Sequence, residues 1–226
     1  MSRNIRKISI TFIIIFICLA MYFVEVVLKP GYLLKSIIKV VLFVGLPMIF
    51  CISAKQFDFT EYFIIKQKKQ IFISAALGLG VYFIILAGYF ILRSFINLNN
   101  ISMQLENNMN VNKNNFIYVA IYISFINSML EELFFRGFAF LTLNKSSSKL
   151  YSYMLSALAF SVYHVSILEN WFNIILYITF IAGLFVVGLF FNCLNEKNNN
   201  IYNSWIVHMC ANLSINTIGF FMFGIL

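Results

Sequence analysis

Apolar residues run along this chain in long blocks parted by short polar stretches, with no period-two alternation of apolar and polar positions. Blocks long enough to cross a hydrocarbon layer about 30 Å thick fall at 8–28, 37–53, 71–92, 116–143, 150–168, 171–194 and 201–226. They predict seven transmembrane spans, with room for an eighth. A bilayer core offers no partner to a bare backbone N–H or C=O, and a barrel would need alternating polarity, so the blocks must be helices. The predicted fold is all-α, a polytopic transmembrane helix bundle. The second span is short and holds Pro47 after Gly45, which predicts a kink or a re-entrant turn. The fourth is long enough to tilt or break.

Two asparagine-rich stretches, 97–115 and 195–203, read as polar loops on opposite faces of the bundle. Small residues, among them Ala76, Gly78, Gly80, Gly88, Gly183 and Gly188, offer places where helices can approach closely. No internal repeat and no separate soluble domain are visible. Cys18, Cys51, Cys193 and Cys210 lie in or beside apolar runs without metal-ligand spacing, so they read as small buried hydrophobes.

Composition agrees with the pattern. Hydrophobic residues make up 62% of the chain and charged ones 11%, against about a quarter charged in soluble proteins. The first apolar run follows Arg3, Arg6 and Lys7 as in a signal peptide, but it is too long and no small-residue cleavage site follows, so it reads as a mature span. Placing the N-terminus in the cytoplasm puts ten Lys and Arg on that side: Arg3, Arg6, Lys7, Lys55, Lys66, Lys68, Lys69, Lys145, Lys149 and Lys197. Five fall on the other: Lys29, Lys35, Lys39, Arg93 and Lys113, of which Lys35 and Lys39 fit that assignment poorly. The bias favours a cytoplasmic N-terminus and an external C-terminus. The net charge of +8 is therefore topological first and lipid-attracting second, and no nucleic-acid partner is indicated. The bias toward Ile, Asn, Lys and Phe points to a bacterial plasma membrane.

Against this apolar background the few ionisable groups inside the spans stand out, because each costs a few kcal/mol to bury in a bilayer and implies a functional site. The fourth span carries Glu131-Glu132 with Arg136 beyond them, and the chain's two histidines lie in Phe160-x-x-x-His164 and His208-x-x-x-Asn212. On a helix Glu132 and Arg136 share a face and can pair, which leaves Glu131, about 100° away, unpaired. An unpaired carboxylate at this depth suits a general base acting on water, with His164 to orient that water. His208 and Asn212 can donate hydrogen bonds to a developing oxyanion. Asn127, one turn before Glu131, is a further candidate for the same cavity. Glu25 and Lys29 read as a local ion pair without functional weight.

Taken together and in this order, these motifs resemble the CPBP family of intramembrane proteases, also called Abi, which groups CAAX prenyl endopeptidases with bacteriocin-processing and self-immunity proteins. The similarity covers roughly 116–216 and divides the chain into N-terminal transmembrane helices of unassigned role (1–115) and a CPBP-type catalytic core (116–226). The resemblance implies that Glu131 and His164 activate water, that His208 and Asn212 stabilise the tetrahedral intermediate, and that Glu132, Arg136 and Phe160 support the site. It favours hydrolysis without a cofactor. The alternative is zinc held by Glu131, His164 and His208, although the H-E-x-x-H spacing is absent. Ser204-Trp205 stand where many members carry a proline. The implied partner is a membrane peptide or protein, such as a bacteriocin leader or a pheromone precursor. The competing reading is a catalytically inactive scaffold or immunity protein that binds a bacteriocin or another partner.

Overall fold

The computed structural model of the chain describes residues 2–54, 59–65, 67–169 and 171–226. Lys55 and Lys66, counted above as cytoplasmic charges, lie outside the described residues. The described residues form an all-α bundle without strands: α1 Arg3–Leu28, α2 Tyr32–Ala54, α3 Lys68–Phe95, α4 Leu98–Met109, α5 Phe116–Thr142, α6 Lys149–Tyr163, α7 Ile174–Glu196 and α8 Tyr202–Met222. All of these except α4 and α6 are long and apolar enough to cross a membrane.

The predicted spans are recovered with two differences. The fifth, drawn at 150–168, is a helix of only 15 residues that stops at Tyr163. Part of the polar stretch 97–115 is helical as α4, because Ile101, Leu105 and Met109 repeat at helical spacing and turn inward. The side chain of Asn97 caps its start, and Asn110, in the left-handed conformation, ends it. Pro47 neither breaks α2 nor turns it back. The helix widens to π geometry over Val41–Gly45, just before the ring, which accommodates the missing N–H donor.

Helix α8 packs along α3, and α6 lies against α7 and the C-terminal half of α5. Two of the small residues set these approaches. A Cβ on Gly78 would meet Cys210 Sγ at 2.8 Å, and one on Gly188 would meet Ala157 Cα at 2.9 Å, whereas Gly80, Gly88 and Gly183 face open space. Large apolar side chains such as Phe12, Leu33, Phe72, Ile91 and Ile175 cover the outside, as expected of a surface solvated by lipid.

Polar contacts tie together the ends of the bundle. At one end Arg3 donates to the carbonyls of Ser146 and Ser147, Lys145 pairs with Glu61, Lys149 pairs with Glu196, and Ile201 N–H donates to Tyr62 C=O. At the other, Lys113 donates to the carbonyl of Gly224. The four cysteines are free. Glu25 pairs with Lys35 at 2.6 Å rather than with Lys29, whose left-handed backbone ends α1.

Candidate active site

At the core of the bundle Phe43 of α2, Phe134, Phe135 and Phe138 of α5, and Phe160 and Tyr163 of α6 form one aromatic cluster. The acid pair sits against it, with Glu131 and Glu132 both buried. From Glu132 to Thr142 the helix has π geometry, a local widening that often accompanies functional positions.

Glu132 is fully engaged. Its Oε1 accepts from His208 Nδ1 at 2.8 Å and lies 3.3 Å from Arg136 Nη1, while its Oε2 accepts from Ser204 Oγ. The i,i+4 pairing read from the sequence is thus present. Arg136 is wholly buried and finds no hydrogen-bond partner for its guanidinium nitrogens among the described residues. Its charge rests instead on Glu132 and on the faces of Phe160 at 4.1 Å and Phe191 at 4.9 Å. Phe160 has a second task, since its ring also packs edge-on against His164 and His208.

The spacing of Phe160-x-x-x-His164 has a backbone explanation. The last turn of α6 tightens, with His164 N–H bonding Ser161 C=O instead of the carbonyl four residues back. Phe160 C=O is left to accept from His164 Nδ1 at 2.7 Å. A carbonyl can only accept, so Nδ1 carries the proton and Nε2 of the neutral ring presents a lone pair. The same logic applies to His208, whose Nδ1 faces the carboxylate of Glu132. Both free Nε2 atoms point at one oxygen, Glu131 Oε2, from 3.9 Å for His164 and 3.6 Å for His208. These gaps exceed a direct hydrogen bond and suit a bridging group.

Glu131, expected to be unpaired, is not. Its Oε1 accepts from Lys39 Nζ at 2.6 Å and from Asn127 Nδ2 at 2.9 Å, and Asn127 Oδ1 accepts in turn from Lys39. Lys39 is buried and also faces the rings of Tyr163 and Phe43. The sequence count assigned this lysine to the external side although it falls inside the span 37–53, and that poor fit was the available signal. Asn127 takes the place expected of it. Asn212 does not join the cluster directly: its amide donates to Ile123 C=O on the π stretch Tyr122–Asn127 of α5, leaving its second N–H for another acceptor.

Ser204 and Asn195 were also missed. Ser204 N–H, one of the unpaired donors in the first turn of α8, bonds Asn195 Oδ1 at 3.1 Å, and Asn195 Nδ2 donates to Ser204 Oγ. The serine therefore supplies a donor to Glu132 and a tie to α7. Among the described residues no group of three His, Cys, Asp or Glu is arranged as a ready set of metal ligands.

The family model described as type II CAAX prenyl endopeptidase Rce1-like matches residues 113–214, a segment that contains every motif residue of the cluster but not the flanking Lys39, which belongs to no motif. No curated protein and no solved structure matches the chain.

Proposed function

We propose, from the match of residues 113–214 to the type II CAAX prenyl endopeptidase Rce1-like family model, that the chain is an intramembrane endopeptidase that uses Glu131 as general base. The observation that carries this reading is the convergence of Glu131 Oε2 with the Nε2 atoms of His164 and His208. A water bridging Glu131 and His164 gives a proton to the carboxylate while its oxygen attacks the scissile carbonyl carbon. When the C–N bond breaks, the same proton passes from Glu131 to the leaving amine.

His208 needs a refinement of the role implied by the motifs. With Nδ1–H given to Glu132, its Nε2 donates to an oxyanion only as imidazolium. As Glu131 takes the proton from water it stops offsetting Lys39, so the cluster gains one positive charge as the oxyanion forms, while Glu132 still faces Arg136. The second amide hydrogen of Asn212 supplies a further donor. No metal is required in this scheme.

The substrate is a membrane-associated peptide or protein, and the composition of the chain favours a bacteriocin leader or pheromone precursor over a prenylated protein. The test uses the purified protein in lipid nanodiscs with an internally quenched farnesylated CAAX peptide and its unprenylated twin, alongside peptide profiling of membranes from cells with the active protein or its Glu131→Gln variant. Cleavage products that vanish in the variant support the reading. Peptide binding without cleavage in every arm would overturn it in favour of an inactive scaffold.

A further inference from the structure

Lys39 lies outside the matched segment 113–214, on a helix to which the motifs assign no role. It is nevertheless the nearest charge to the proposed base. We propose that Lys39 is a positioning residue that fixes Glu131 as a carboxylate with only one oxygen, Oε2, presented to the histidines. The proposal rests on the endopeptidase reading for its kinetic consequence and on geometry alone for its structural one.

The geometry divides the two carboxylate oxygens. Oε1 receives both the Lys39 ammonium at 2.6 Å and the Asn127 amide at 2.9 Å, whereas Oε2 faces only the two imidazole Nε2 atoms. Lys39 is itself fixed, because Asn127 Oδ1 accepts a hydrogen bond from a second N–H of its ammonium and the ring faces of Tyr163 and Phe43 lie 4.9 and 5.2 Å away. A carboxylate held at one oxygen by two donors cannot rotate to exchange its oxygens, so the reactive oxygen stays aimed at the water. The remaining charged groups around this pair are Glu132 and Arg136 on α5 and the Glu25–Lys35 pair at the α1–α2 turn, each already matched within its own ion pair. Lys39 is therefore matched to Glu131 alone. If its role were only to dock α2 onto α5, any side chain of similar length would serve.

Lys39→Met keeps length and apolar packing while removing the charge, and Lys39→Arg restores the charge. On whichever peptide the wild type cleaves, Lys39→Met is expected to lower kcat by roughly ten- to a hundredfold, the range set by displacing a reacting group, with KM within about twofold. Lys39→Arg should recover most of the loss. Independently of activity, the infrared difference between wild type and Glu131→Gln should isolate a carboxylate band from Glu131, and in Lys39→Met that band should give way to a protonated carboxyl band. An unchanged carboxylate band together with unchanged kcat would overturn the proposal. If Lys39→Met does not fold, Lys39→Gln carries the same comparison. Failure of the wild type to cleave any peptide would sink the endopeptidase reading and leave the infrared arm to decide the role of Lys39.

Discussion

Replacing Glu132 by leucine removes the carboxylate that is ion-paired with Arg136. Arg136 is wholly buried and its guanidinium has no hydrogen-bond partner to fall back on among the described residues. Breaking a buried pair from one side costs about 3–5 kcal/mol, because the stranded charge keeps its desolvation penalty. His208 Nδ1 and Ser204 Oγ lose their acceptor as well, so the upper end of that range is the expectation. For a chain of this size the change corresponds to a fall of roughly 10 °C in the unfolding midpoint. The assay is unfolding in mixed micelles titrated with SDS, followed by circular dichroism. The cycle is completed by Arg136→Met and by the double variant Glu132→Leu/Arg136→Met. Removing both charges should recover about 2 kcal/mol relative to the sum of the single changes. Additivity within about 0.5 kcal/mol would refute the reasoning, since independent sites behave that way.

Other consequences can be checked separately. Gly188→Val drives a Cβ to within 2.9 Å of the Ala157 backbone and should destabilise the bundle by about 1–3 kcal/mol, while Gly183→Val, which meets nothing within 4 Å, should stay within roughly 0.5 kcal/mol. Prolonged zinc chelation should leave cleavage intact and metal analysis should find far less than one ion per chain; stoichiometric zinc restored together with activity would reverse the metal-free scheme. In a variant lacking its four cysteines, single cysteines at Lys145 and Lys197 should react with an impermeant thiol reagent only when the cytoplasmic face is open, and one at Lys113 should react in intact cells. The opposite pattern would invert the topology.

The fold was legible because a bilayer leaves the backbone no choice: an apolar run of sufficient length must be a helix. The exceptions are instructive. Helix α4 is hidden in an asparagine-rich stretch and exists because Ile101, Leu105 and Met109 share a face. Helix α6 ends short of its apolar run, and that end delivers His164 with its ring N–H tied to Phe160. Glu131, Glu132, Arg136, His164 and His208 were all visible as polar residues in apolar surroundings, and the structure gathers them around the two carboxylates. Beyond the Glu132–Arg136 pair, their linkage was not visible. Glu132 shares His208 as well as Arg136, and Glu131 depends on a lysine 92 positions away in the chain. Such long-range pairing leaves no local periodicity to read. Ser204 and Asn195 escaped for a related reason, since their bonds join α7 to α8 across a turn that reads only as polar loop.

The central claim is that Glu131 activates the attacking water. The direct measurement is the single-turnover cleavage rate of Glu131→Gln against wild type on the same peptide in the same nanodiscs, with helical circular dichroism recorded for both. Glutamine keeps an acceptor for Lys39 and Asn127 but cannot take a proton from water, so the rate should fall by at least about a hundredfold with the helical signal retained. A rate within a few-fold of wild type would contradict the account.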